Sequence, residues 1–422
     1  MFDGLMPRMF VKKRLKMTFI NGGVCAAKGF KASGIHCGIR KNRTKRDLAL
    51  IVSETPAAAA CTYTKNLVKG APLTVTKENV ANGYAQAVIC NSGNANTCNA
   101  NGVEIARGMC ELVEKEIGIK ADDVVVASTG VIGQPLSLEP IANGMKELCA
   151  GLDCTEEAAE AAAEAIMTTD TVKKEVAVEF DCGGVKCRIG GIAKGSGMSH
   201  PDMATMLVFI TTDCAISPEM LQKALSADIV DSFNMVSVDG DTSTNDMVSV
   251  LANGAAGGKM VDSEGDDYNA FCQALSMITR TLCRMIASDG EGATKLIDCK
   301  VSGAVSVKAA KTVAKSVICS SLLKAAMFGA DANWGRVLCA IGYSGAEVDI
   351  TKVDVDFQSQ AGTVAVCRNG AGVDFDEDIA KKVLTEKEIY ILVGLNDGEA
   401  TAEAWGCDLT YDYVKINGAY RT

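Results

Sequence analysis

The short apolar runs of this chain, each ending in turn residues, constrain its fold more than any other feature. Residues 48–53 (LALIVS), 85–90 (AQAVIC) and 123–127 (DVVVA) are too short for helices and read as buried strands. Runs at 207–212, 247–251, 305–308 and 364–367 continue the pattern. Between them, 102–116, 155–167, 267–286 and 376–384 read as helices, the second with Thr155 placed to cap its first turn. Residues 191–198 read as a loop. The predicted class is α/β, with mixed sheets layered with helices. At 422 residues the chain is too long for one small core and suits two or three packed subdomains.

Composition narrows the function. Hydrophobic residues make up 48% and charged residues 22%, the ordinary mix of a soluble globular protein. With 41 glycines against 7 prolines, tight turns and close backbone approaches are expected rather than disorder. A net charge of −10 argues against a nucleic-acid partner, because neutralising phosphates takes clustered Lys and Arg. No apolar stretch reaches the roughly 18 residues that span a bilayer, so no membrane partner is expected and the expected location is the cytoplasm.

The 18 cysteines are scattered, with no CxxC; the closest pairs are Cys149/Cys154 and Cys182/Cys187. Only His36 and His200 are available, so a Cys/His zinc site is not expected. The cysteines read as small buried hydrophobes in a reducing compartment. Residues 1–16 (MFDGLMPRMFVKKRLK) are basic, carry Met1 and Met9, and precede Met17. They lack the apolar or amphipathic segment of a targeting peptide and read as a leader or an upstream-start extension.

Residues 194–205 (KGSGMSHPDMAT) set Lys194 in a glycine-rich turn ahead of Thr205 and the apolar run MLVFI. A Thr hydroxyl entering a strand from a loop can attack the preceding carbonyl. The N→O shift leaves an ester that water opens, and the new chain then begins with Thr205. Its freed α-amine, with an unperturbed pKa near ~8, sits beside its own hydroxyl and serves as its base. Two histidines leave little room for a Ser-His-Asp device. Ala-Thr recurs at Ala293-Thr294 and Ala400-Thr401, so the dipeptide alone leaves an ordinary strand-start Thr open. Residues 127–134 (ASTGVIGQ) can aim backbone N–H groups and a hydroxyl into a cleft as an oxyanion hole does, with a plain β-turn as the alternative. Further polar clusters stand at 91–96 (NSGNAN), 239–246 (DGDTSTND) and 289–295 (DGEGATK). DGDTSTND fails as an EF-hand, with Thr244 where Gly is needed and Val250 where Glu is needed. GAAGGK at 254–259 misses the spacing of a P-loop.

Taken together, these segments resemble the ornithine acetyltransferase family, also called bifunctional glutamate N-acetyltransferases. Its lysine-glycine turn and cleavage site are matched by Lys194-Gly195-Ser196-Gly197-Met198 and Ala204-Thr205-Met206-Leu207. Also matched are Ser128-Thr129-Gly130-Val131-Ile132-Gly133, Met167-Thr168-Thr169-Asp170-Thr171 and Asp289-Gly290-Glu291-Gly292-Ala293-Thr294-Lys295. The resemblance continues through Asp331-Ala332-Asn333-Trp334-Gly335-Arg336 and Ala404-Trp405-Gly406-Cys407-Asp408 to Thr422, starting at about Gly34.

The resemblance implies cleavage between Ala204 and Thr205 into an α chain, 17–204, and a β chain, 205–422, assembled as a heterotetramer with two copies of each chain. It implies a sandwich related to self-processing aminopeptidases and N-terminal-nucleophile hydrolases. It implies acetyl transfer from N2-acetylornithine to glutamate by a ping-pong route through acetyl-Thr205. Thr129 and Gly130 would form the oxyanion hole; Thr168, Lys194, Thr205, Glu291, Asn417 and Thr422 would bind substrate. On their chemistry, Lys194 suits an α-carboxylate or developing negative charge, and Glu291 suits an ornithine-like ammonium. Ser199, His200 and Asp202 depart from the family pattern, and Asp202 puts the cleavage rate in question. The reaction calls for no cofactor and no metal. Acetyl-CoA as a second donor, and a self-cleaving aminopeptidase or amidase of the same architecture, stay open as alternatives.

Overall fold

The computed structural model describes residues 17–198 and 206–419, and among these residues the strands form two mixed sheets covered by helices, as the α/β expectation has it. The larger sheet has nine strands among the described residues. Its spatial order is Thr18–Ile20, Lys174–Cys182, Val185–Lys194, Leu207–Thr212, Met247–Ala252, Leu48–Tyr63, Tyr84–Asn94 and Val124–Val131, with Phe30–Ile35 added beside Leu48–Tyr63.

Side chains alternate across a strand, and here both faces are covered. Leu50, Ile89 and Val126 pack under helices Gly102–Ile117 and Glu139–Ala150. Their neighbours Ile51, Val88 and Val125 face helix Glu156–Ile166 instead. Burial on both sides explains why these runs lack polar alternation. Helix Gly102–Ile117 buries Ala106, Met109, Cys110 and Val113, one stripe at helical spacing. Each of its larger apolar side chains contributes about 1.5–3 kcal/mol by leaving water. The Thr155 hydroxyl accepts from Ala158 N at 3.3 Å, the cap read from sequence.

The second sheet runs Ala371–Gly372, Gly362–Arg368, Asp354–Ser359, Glu388–Gly394, Leu296–Ala304, Ala400–Cys407 and Val236–Ser237. Helix Val307–Cys319 packs on Leu296–Ala304 and Ala400–Cys407. Helix Asp266–Ser288 touches strands of both sheets and ties them together.

Two expectations are corrected. Residues 305–308 begin a helix rather than a strand: the Ser306 hydroxyl accepts from Ala309 N at 3.1 Å and caps Val307–Cys319. An alternation of four residues is too brief to outweigh a cap. Residues 191–194 are strand, not loop, paired on both sides as far as Ala193. The glycines there serve close packing: a Cβ on Gly190 would lie 1.9 Å from Gly23 O.

Candidate active site

Strand register brings the first site residues together. Lys194, the last residue of Val185–Lys194, pairs with Leu207, and Leu207 pairs in parallel with Met247. Met206 and Asp246 thus become neighbours, and Met206 N donates to Asp246 Oδ1 at 2.8 Å. Burial pushes the Asp246 carboxyl well above the ordinary aspartate range, a rise that the Met206 N–H and the Lys194 charge only partly offset. Ala204 and Thr205, directly ahead of Met206, lie outside the described residues, as do Thr422, the 1–16 extension, Ser199, His200 and Asp202.

Ser128-Thr129-Gly130 is not a free turn. It is the end of strand Val124–Val131, paired in parallel with Tyr84–Asn94. The register slips at Gly93 and Asn94, an irregularity of the kind that re-aims a strand end. Gly130 has φ 134°, and a Cβ there would sit 2.3 Å from the Gly93 carbonyl carbon, so no other residue fits. Asn245 anchors this strand end. Its Nδ2 donates to Ser128 O at 2.9 Å and to Ala95 O at 2.6 Å, while its Oδ1 accepts from Thr97 Oγ1 at 2.6 Å.

Lys194 is 4% exposed. Among the described residues its hydrogen-bond partner is the Thr129 hydroxyl, 3.5 Å from Nζ. Burial pulls its pKa below the ordinary lysine value, against the opposing pull of the Asp170 carboxylate. Opposite stands Glu291. Its Oε1 accepts from Thr169 Oγ1 at 2.6 Å and its Oε2 from Asn417 Nδ2 at 2.7 Å. Asn417 belongs to helix Tyr411–Gly418, near the end of the chain. That helix is docked: the Tyr413 hydroxyl lies 3.2 Å from Asp239 Oδ2, and Thr410 Oγ1 donates to Gly292 O at 2.6 Å.

These groups face one cavity of about 210 Å³. Of the residues singled out from sequence, Thr129, Gly130, Thr168, Lys194, Glu291 and Asn417 all line it. Thr169 and Ser243–Asn245 line it too and were not singled out. The second group lies in DGDTSTND, where failure as a calcium loop left no role. Its usable signal is polar density at the entrance of a buried strand, as ASTG is polar density at the exit of one. Lys295, in the same motif as Glu291, turns away and donates to Met327 O at 2.5 Å and Leu384 O at 2.7 Å.

The arrangement offers a buried ammonium, a hydroxyl with an adjacent backbone N–H, and a carboxylate held by two donors. Such a set can hold the charged head of an amino acid and stabilise negative charge on a carbonyl oxygen. Among the described residues no group of His, Cys, Asp and Glu is arranged to hold a metal ion, and no helix is long and apolar enough to cross a membrane.

A family model described as the ArgJ family matches residues 31–422. The chain is 51% identical over 394 residues to arginine biosynthesis bifunctional protein ArgJ 1 of Clostridium acetobutylicum, spanning 93% of this chain and 96% of that one. It is 48% identical over 407 residues to arginine biosynthesis bifunctional protein ArgJ of Caldanaerobacter subterraneus subsp. tengcongensis, spanning 96% and 100%. Among solved structures, arginine biosynthesis bifunctional protein argJ from Bacillus halodurans is 45% identical, with a TM-score of 0.48 over 51% of this chain and 98% of that one. Matched by the family model over residues 31–422 and by relatives about half identical along nearly its whole length, the chain belongs to the ArgJ family.

Proposed function

We propose that the chain breaks between Ala204 and Thr205 and that Thr205 then carries an acetyl group from N2-acetylornithine to glutamate. As a member of the ArgJ family the protein is an enzyme of arginine biosynthesis, a glutamate N-acetyltransferase. The observation that carries the finer reading is the cavity in which Lys194, Thr129-Gly130 and Glu291 meet. Donor and acceptor share an α-carboxylate and the α-nitrogen that carries or receives the acetyl group, so one pocket serves each in turn.

In the first half-reaction the Thr205 amine takes the hydroxyl proton and Oγ attacks the acetyl carbonyl. The Thr129 hydroxyl and Gly130 N–H stabilise the oxyanion, about 3 kcal/mol for each donor. The C–N bond breaks, the Thr205 ammonium returns its proton, and ornithine leaves. In the second, the α-amine of glutamate attacks the ester and restores the hydroxyl. Lys194 holds the α-carboxylate or the developing charge, Glu291 holds an ammonium, and Thr168, Asn417 and Thr422 complete the pocket.

Strand Leu207–Thr212 is bonded to Val185–Lys194 on one side and Met247–Ala252 on the other. A break ahead of it therefore leaves chains 17–204 and 205–422 knitted into one sheet, which supports the cleavage reading. We place the enzyme in the cytoplasm as a heterotetramer with two copies of each chain. Relatives bear the name bifunctional, which supports acetyl-CoA as a second donor.

Mass spectrometry of the purified protein, with an acetylornithine assay run with and without glutamate, tests this. Two fragments and glutamate-dependent acetylglutamate are expected, and Thr205→Ala stays whole and inactive. Acetate formed regardless of glutamate means hydrolysis. An intact chain of 44.1 kDa that still turns over acetylornithine overturns the mechanism.

A further inference from the structure

Behind the cavity wall lies a buried charge cluster that no step of the reaction uses. Lys174 Nζ donates to Asp170 Oδ1 at 2.7 Å and to Asp289 Oδ2 at 2.6 Å, and the three side chains are 0%, 0% and 5% exposed. None of them lines the cavity. Each carboxylate also accepts backbone N–H groups of turns that carry cavity residues. Asp170 Oδ2 accepts from Thr168 N at 2.9 Å, and Oδ1 accepts from Gly195 N at 2.8 Å, beside Lys194. Asp289 Oδ2 accepts from Thr171 N at 3.0 Å and Val172 N at 3.4 Å, and Asp289 also takes the Thr171 hydroxyl. Glu291 N, two residues on, donates to Ser196 O at 2.7 Å and closes the ring.

We infer that Lys174 is a positioning residue: its ammonium, shared between Asp170 and Asp289, sets the spacing of the three turns that present Thr168, Lys194 and Glu291 to substrate. The inference rests on the reading above that these residues hold the substrate's amino-acid head. Stability alone does not account for such a cluster, because well-packed apolar residues of similar volume generally do as well as a buried ion pair. Geometry accounts for it. Without the ammonium, two desolvated carboxylates share one pocket; one takes a proton and its backbone acceptors weaken. The adjacent Lys173 shows the bland use of the same residue type, 34% exposed and paired with Glu160 at the surface.

Lys174→Met tests this, with kinetics measured well below the melting temperature. The KM values for acetylornithine and glutamate should rise about tenfold through lost positioning. The kcat should change by no more than about threefold, because Asn245 and the strand register hold Thr129, Gly130 and Met206 independently. Thr171→Val, an exposed site that loses only the hydroxyl to Asp289, should raise KM by about threefold. It also decides the matter if Lys174→Met does not fold. Unmoved KM values with a lower melting temperature, or a kcat loss at constant KM, overturn the inference. Amide hydrogen exchange reads the same cluster without substrate: Thr168, Gly195 and Glu291 should exchange faster in Lys174→Met, with strand Leu296–Ala304 unchanged. If the wild type makes no acetylglutamate, the transfer reading fails, and unchanged exchange at those turns would still overturn the positioning role.

Discussion

Lys174 and Lys194 stand at the same end of one hairpin, Lys174 paired in register with Ala193, yet their surroundings make them opposites. Lys174 has carboxylates on two sides, at 2.7 and 2.6 Å. Lys194 is buried as deeply but meets only the Thr129 hydroxyl at 3.5 Å among the described residues. One charge is satisfied by the fold and holds backbone in place. The other, among the described residues, is short of partners, with its pKa pulled down, in a cavity where a substrate can complete it. Scaffold and site thus use the same residue type and differ in what the protein leaves undone.

The sharpest way to break this contrast is to remove both charges in turn. Lys194→Met should lower kcat/KM on the order of 1,000-fold while leaving the melting temperature equal or higher, since among the described residues that charge has only the Thr129 hydroxyl as hydrogen-bond partner. Lys174→Met should instead cost about 3–5 kcal/mol of stability by stranding two buried carboxylates. Calorimetry beside kinetics separates them, and equal destabilisation by both variants would sink the contrast. Next in size, Thr129→Val should lower kcat about 100-fold at nearly constant KM, the mark of a donor that acts on the transition state. A purely KM effect would put that hydroxyl on the ground state instead.

The pH response sharpens the contrast further. The depressed Lys194 pKa means that its charge is lost as pH rises through a value below about 10.4. If that charge works in the site, kcat/KM has an alkaline limb below the ordinary lysine range, and Lys194→Arg removes it. Its stability sign follows: stability rises with pH between the folded and unfolded values. Asp170 has the same slope in the acid range, as a gain in stability rather than the relief of a penalty. Burial raises its pKa, but the Lys174 and Lys194 charges outweigh that and hold it far below the usual aspartate range. Its contribution is present above the unfolded value of about 3.9 and fades as pH falls toward the folded one. An acid titration of the melting temperature in Asp170→Asn beside wild type reads this. A smaller effect is expected for Asn417→Ala, which removes the 2.7 Å bond to Glu291. About 1 kcal/mol corresponds to a KM increase of about fivefold; no change in KM would place the C-terminal helix outside the pocket's work.

How much of this was legible beforehand depends on the range of the interaction. The central strands and the helix capped by Thr155 follow from side chains within a few residues of one another, and so does the Ser306 cap, although a brief alternation hid it. The motif residues Thr129, Gly130, Thr168, Lys194, Glu291 and Asn417 stood out by resemblance, and all reach one cavity. Asn245 carries no local mark, because the strand end it anchors lies 117 positions away at Ser128.

Alone, the sequence determined the buried strands, the local caps and the family, because apolar runs, cap hydroxyls and ordered motifs are properties of neighbouring residues. Only the tertiary structure decided which of two adjacent lysines turns inward. Lys174 finds Asp289 across 115 positions of chain, and the cost of burying an ammonium is met or unmet only once the folded backbone has brought its partners within reach.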